Sequence, residues 1–97
     1  MTKKLNGKNI DTLYEAILSL KTKQECRNFF EDLCTVSEIQ SMSQRLEVAI
    51  MLSDNTIYND ISAKTGASTA TISRVNRCLN YGSDGYTTVI ERLKNNE

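Results

Sequence analysis

Between Tyr58 and Asn80 the chain carries polar residues in an order suited to contact with DNA. Thr69, Ala70, Ser73, Arg74 and Arg77 fall on one face if this stretch is helical. Small side chains allow the backbone to come close to a groove, and arginine can read a guanine edge or hold a phosphate. Two short helical patterns meet at Gly66, which can adopt the positive φ that ends the first and begins a turn. Ser68 or Thr69 can cap the second helix by accepting a bond from a free backbone N–H. Ile61, Ala67, Ile72 and Val75 are spaced to close a small core between the two helices. This predicts a helix-turn-helix over residues 56–80, with its second helix presented to a DNA groove. The competing reading of the same residues is an ordinary helical hairpin with a solvated polar face.

Stepping out from that motif, the remaining pattern is helical throughout. A polar, lysine-rich start from Met1 to Lys8 is expected to be flexible. Ile10, Leu13, Tyr14, Ile17 and Leu18 then recur at helical spacing. Thr22-Lys23-Gln24-Glu25 resembles a capping box that opens a helix with Cys26, Phe29, Phe30 and Leu33 on its apolar face. Thr35-Val36-Ser37-Glu38 repeats the signal and opens a longer helix with Ile39, Met42, Leu46, Ala49 and Ile50 on one face. Ser53-Asp54-Asn55 is a break, and Thr56 is the expected cap of the next helix. After a second break at Tyr81-Gly82-Ser83-Asp84-Gly85, a last helix over 84–94 carries Tyr86, Val89, Ile90 and Leu93. The expected fold is therefore all-α, with about six helices and no strand. It forms a single domain over 1–97, in which the helices of 9–53 precede the helix-turn-helix. Their apolar stripes exceed what the motif can cover, so they serve either to back it within one subunit or to interlock with a second copy.

The chain has 97 residues with 12 basic and 12 acidic side chains, so nonspecific coating of nucleic acid is not its mode of action. Charge is nonetheless uneven: from 58 to 80, Lys64, Arg74 and Arg77 face only Asp60. The absence of histidine removes Ser-His and Cys-His catalytic pairs and all histidine metal sites. Cys26, Cys34 and Cys78 form no CxxC pair and are odd in number, which points to reduced thiols. Gly7, Gly66, Gly82 and Gly85 make no phosphate loop, and the carboxylates fall in no catalytic spacing. No enzymatic activity and no metal are expected. With no membrane-spanning run and no signal-peptide pattern, the expected location is the cytoplasm.

The run Thr65-Gly66-Ala67-Ser68-Thr69-Ala70-Thr71-Ile72-Ser73-Arg74 resembles the reading motif of the tryptophan repressor family. Upstream, Leu33-Cys34-Thr35-Val36-Ser37-Glu38 and Gln44-Arg45-Leu46 are similar to the family's Leu-Thr-Pro-Asp-Glu segment and the arginine-containing helix after it. The resemblance covers residues 10–93, is strongest from 33 to 80, and is nearest to the YerC/YecD-type branch. It implies an intertwined homodimer and a transcriptional regulator, read here as a repressor working by operator occupancy on double-stranded DNA. The DNA-binding residues expected are Ser68, Thr69, Ala70, Thr71, Ser73 and Arg74, with Lys64 and Arg77 as added charge contacts, although Arg77 has no basic counterpart in the tryptophan repressor. Asn59 and Ser62 stand where the tryptophan repressor is basic, so the operator should differ.

The same resemblance implies an effector pocket. Arg45 and Arg74 stand where two arginines sandwich the indole of L-tryptophan, and Thr71 also matches that site. Two residues depart from the pattern. Val75 replaces a glycine and can fill the space of the indole, and Cys78 replaces a serine with a weaker hydrogen-bonding group. Together they weigh against tryptophan as effector, leaving either a closed pocket or a different small molecule. The alternative to a DNA reader is a helical protein-interaction module that has lost useful DNA affinity. The neutral overall charge and the polar residues Asn59 and Ser62 speak for it.

Overall fold

The computed structural model describes residues 7–96. They form six α-helices: α1 (Lys8–Ser19), α2 (Lys23–Leu33), α3 (Val36–Ser53), α4 (Tyr58–Thr65), α5 (Thr69–Tyr81) and α6 (Gly85–Asn95). No strand occurs among the described residues. Helix α1 begins at Lys8 with Gly7 as its N-cap, so Lys8, expected in a flexible start, is helical, and the rest of that expectation, over residues 1–6, lies outside the described residues.

The chain divides into two compact units, Met1–Ile39 and Gln40–Glu97. In the first, both predicted N-caps form, but only the second as a full capping box. The Thr22 hydroxyl accepts the Glu25 N–H at 3.1 Å, while the Glu25 carboxylate reaches one residue further back, to the Lys21 N–H at 2.8 Å. At Thr35 the exchange is reciprocal: its hydroxyl accepts the Glu38 N–H at 3.1 Å, and its own N–H donates to the Glu38 carboxylate at 2.8 Å. Those bonds favour the charged form and hold the Glu38 carboxyl below its usual range. Phe29 and Phe30 meet edge to face with centroids 5.7 Å apart. Neither α1 nor α2 contains a buried residue.

The second unit holds the core. Val48 and Ala49 of α3, Ile61 of α4, Ala67 of the turn, Ile72 and Val75 of α5 and Ile90 of α6 form one buried cluster. Ile50, Met51, Leu52, Leu79 and Tyr86 pack against it. The expected face of α3 is corrected here. Val48 is fully buried beside Ala49, whereas Met42 is exposed and Leu46 only half-buried. The core takes Ala49 from the expected stripe, with Ile50 packed against it, and adds Val48 from beside that stripe.

The link from α3 to α4 also differs from expectation. Asn55 takes a left-handed φ of 62°. The Asn55 N–H donates to the Leu52 carbonyl at 3.0 Å and the Thr56 N–H to the Met51 carbonyl at 3.0 Å. This is a Schellman ending with asparagine in the position usually held by glycine. Thr56 is thus committed to closing α3, and Ile57, which has no side-chain cap bond, is the N-cap of α4.

Candidate nucleic-acid interface

The turn between α4 and α5 is built from short polar side chains around one glycine. Gly66 has φ 75° and ψ 3°, and its N–H donates to the Ser62 carbonyl at 2.9 Å. An L-residue at that φ would be strained even though there is room for its Cβ. The Ser62 hydroxyl donates to the Ala67 carbonyl at 3.0 Å, and the Thr65 hydroxyl accepts the Ala67 N–H at 3.1 Å. From α3, the Gln44 amide donates to the Thr65 carbonyl at 3.1 Å.

Ser68 is the N-cap of α5, its hydroxyl accepting the Thr71 N–H at 3.1 Å and donating to the Thr71 hydroxyl at the same distance. The first N–H groups of α5, at Thr69 and Ala70, have no intrahelical partner and point out of the helix end. Ile72 and Val75 turn α5 inward, and both are buried. That leaves Thr69, Ala70, Ser73, Arg74 and Arg77 exposed on the opposite side, together with Ser68 and Lys64, while Thr71 is half-buried. The result is a face of small and hydroxyl residues flanked by three cations. Its chemistry suits a polyanion with readable edges, since small residues permit close approach and the arginines supply directed donors.

Asn59 is exposed beside this face, and Ser62 is held by its bond into the turn. At the far end, Gly82 closes α5 with its N–H on the Cys78 carbonyl, and a Cβ there would run into that same oxygen.

The residues matched to an effector pocket separate by environment. Arg45 and Arg74 are exposed. Val75 is 2% exposed, and its side chain is part of the core rather than of an open site. Cys78 lines an apolar hollow of about 630 Å³ with Leu46, Gly82, Ser83, Gly85, Tyr86 and Val89, and Arg45, Thr71, Arg74 and Val75 do not border it. All three cysteines are free thiols. Among the described residues no group of acidic, cysteine or histidine side chains could hold a metal, and no helix is long and apolar enough to cross a membrane.

Two contributors to this architecture escape a reading of the motif alone. Val48 closes the core from α3, and Gln44 reaches the turn from the same helix. Their spacing of one turn places both on one face, but nothing local marks that face as the one meeting α4.

Comparison with known proteins agrees with this architecture. The chain is 58% identical over 94 residues to the protein YerC of Bacillus subtilis strain 168, covering 97% of this chain and 90% of YerC. The solved structure of a TrpR-like protein from Eubacterium eligens superposes with a TM-score of 0.92 at 60% identity, covering 95% of each chain. A solved structure from Staphylococcus aureus matches with a TM-score of 0.90 at 52% identity, covering 95% of this chain and 92% of that one. Residues 8–94 match the family of the Trp repressor protein, and with six helices in this arrangement the chain belongs to that family.

Proposed function

We propose that this protein is a dimeric, sequence-specific DNA-binding transcriptional regulator of the cytoplasm, acting as a repressor by occupying its operator. The observation that carries the reading is the division of α5. Its inner side, Ile72 and Val75, is locked in the core, while Thr69, Ala70, Ser73, Arg74 and Arg77 are free to meet a groove. Lys64 and Arg77 add phosphate contacts, and the Thr69 and Ala70 N–H groups at the start of α5 add backbone donors for phosphate, with Ser68 and Thr71 beside them. The apolar stripes of α1 and α2 support a homodimer, since Tyr14, Leu18 and Leu33 are exposed in the single chain. Two reading helices would then meet half-sites about one DNA turn apart, roughly 34–36 Å.

The regulator works without tryptophan. The burial of the Val75 side chain in the core supports this reading, since a branched residue stands where the tryptophan site has a glycine. The core itself, not a ligand, sets the position of α5.

The test is selection of bound fragments from the source genome at moderate salt, with and without L-tryptophan. Enrichment of a two-fold-symmetric site in both arms is expected, with affinity falling steeply as salt rises. Enrichment only with tryptophan would reinstate Arg45, Thr71, Arg74, Val75 and Cys78 as an effector pocket. No enrichment in either arm, with a protein partner captured by the same surface, would favour the interaction module.

A further inference from the structure

Among the described residues only two side-chain hydrogen bonds join positions far apart in the chain. One runs from Lys94 Nζ to Asp54 at 2.8 Å, between side chains about half exposed (49% and 53%), a class of ion pair that contributes little. The other runs from Gln44 Nε2 to the Thr65 carbonyl at 3.1 Å and is partly buried. Its acceptor is the last carbonyl of α4, one of the groups that a helix end leaves without an internal partner. The next residue is Gly66, in its left-handed conformation, and the nearest atom to a Cβ built there is the same Gln44 nitrogen, at 4.0 Å. The amide therefore lies against the turn itself. One helical turn along α3, Val48 is fully buried in the core beneath it.

These two contacts differ in kind. Burial of Val48 holds α3 against the motif without setting a direction, because apolar attraction is non-directional. The Gln44 bond is directional, and it falls at the point where the chain turns from α4 into α5. We propose that Gln44 is a positioning residue for DNA recognition, fixing the angle at which α5 leaves the turn. This role rests on the DNA-reading function proposed above. Base-edge contacts from the short side chains of Thr69, Ala70 and Ser73 tolerate little misplacement of the helix. Phosphate contacts from the long side chains of Lys64 and Arg77 tolerate more. Loss of the Gln44 bond should thus reduce discrimination between sequences rather than binding as such.

The experiment compares full-length wild type, Gln44→Met, Gln44→Glu and Gln44→Lys on a selected operator fragment and on a scrambled fragment of equal length. A salt series and thermal unfolding are run in parallel. Met and Glu keep the reach of glutamine and remove the donor, whereas Lys restores one. Met and Glu should each lose operator affinity on the order of tenfold relative to scrambled DNA, as a partly buried carbonyl left unpaired allows. Their salt slopes and scrambled-DNA affinities, measured well below the unfolding temperature, should follow wild type after allowance for the charge of Glu. Lys should recover the ratio of the two affinities, in which its added charge largely cancels. Unchanged discrimination in Met or Glu, or equal loss on both fragments, would overturn the role of Gln44 alone. A wild-type protein with no preference between the fragments would instead overturn the DNA-reading function, and this role with it.

Discussion

The two compact units of the chain are similar in secondary structure and opposite in burial. Gln40–Glu97 has a closed core of seven residues, so its helices have a reason to hold their positions within one chain. Met1–Ile39 has well-formed helix caps but no buried residue on α1 or α2, and it leaves Leu18 84% exposed and Leu33 52%. Capping bonds are local and form wherever the helix starts, whereas burial needs a second surface. The contrast teaches that the second unit closes a core of its own, while α1 and α2 keep apolar side chains exposed in the single chain, the surface assigned above to the proposed second copy.

The contrast breaks most visibly at its strongest point. Ile61→Ala should destabilise the reading unit by about 2–5 kcal/mol, because the side chain is fully buried and the hole cannot be refilled from solvent. Urea denaturation would measure it, and a loss below the lower bound would mean that the core is loosely packed. On the N-terminal unit, Leu18→Asp should leave helix content intact. It should weaken the proposed dimer by more than roughly tenfold, since a charge would enter the apolar face which that dimer would cover. Sedimentation over a concentration series decides this, and an unchanged dimer would show that Leu18 lies outside the contact. Ser68→Ala, which removes the cap of α5, should cost about 1 kcal/mol and fray the start of the reading helix. Amide exchange at Thr71 is the direct readout.

Two smaller effects sharpen the division further. Arg77→Ala should leave the melting temperature unchanged, because its side chain is exposed, and should reduce the salt slope of DNA binding by about one. Retained affinity and slope would remove Arg77 from the contacts. Glu38 supplies a pH effect confined to the first unit. Its carboxyl is lowered when folded, first by the bond from the Thr35 N–H and then by the Thr35 hydroxyl, so the charged form stabilises the fold. That contribution is present above the unfolded value near 4.5 and is lost as pH falls through the lower folded value. Glu38→Gln should flatten this part of the acid limb in a melting series, and an unchanged acid limb would show that the cap bond does not persist in solution.

Much of the candidate interface is legible before any fold is drawn. Gly66, the Ser68 cap and the four core residues Ile61, Ala67, Ile72 and Val75 lie within fifteen positions of one another, and all behave as their spacing predicts. The same logic misplaces Thr56, because threonine suits a cap equally well wherever it falls. Only the left-handed Asn55 reveals that the Thr56 N–H is already spent on α3. On α3 it finds Ala49 and Ile50 but misses Val48, because several apolar residues surround the helix and periodicity cannot choose among them.

What the sequence determines by itself is the set of helices, their capped starts, the glycine turn and the polar side of α5, since each depends on groups a few residues apart. What tertiary structure decides is that Val48 of α3 joins the core of the motif, and that Gln44 reaches the Thr65 carbonyl. The physical reason is that local bonds are specified by short-range geometry. A contact between helices depends on how two whole faces pack, which no single stretch of chain contains.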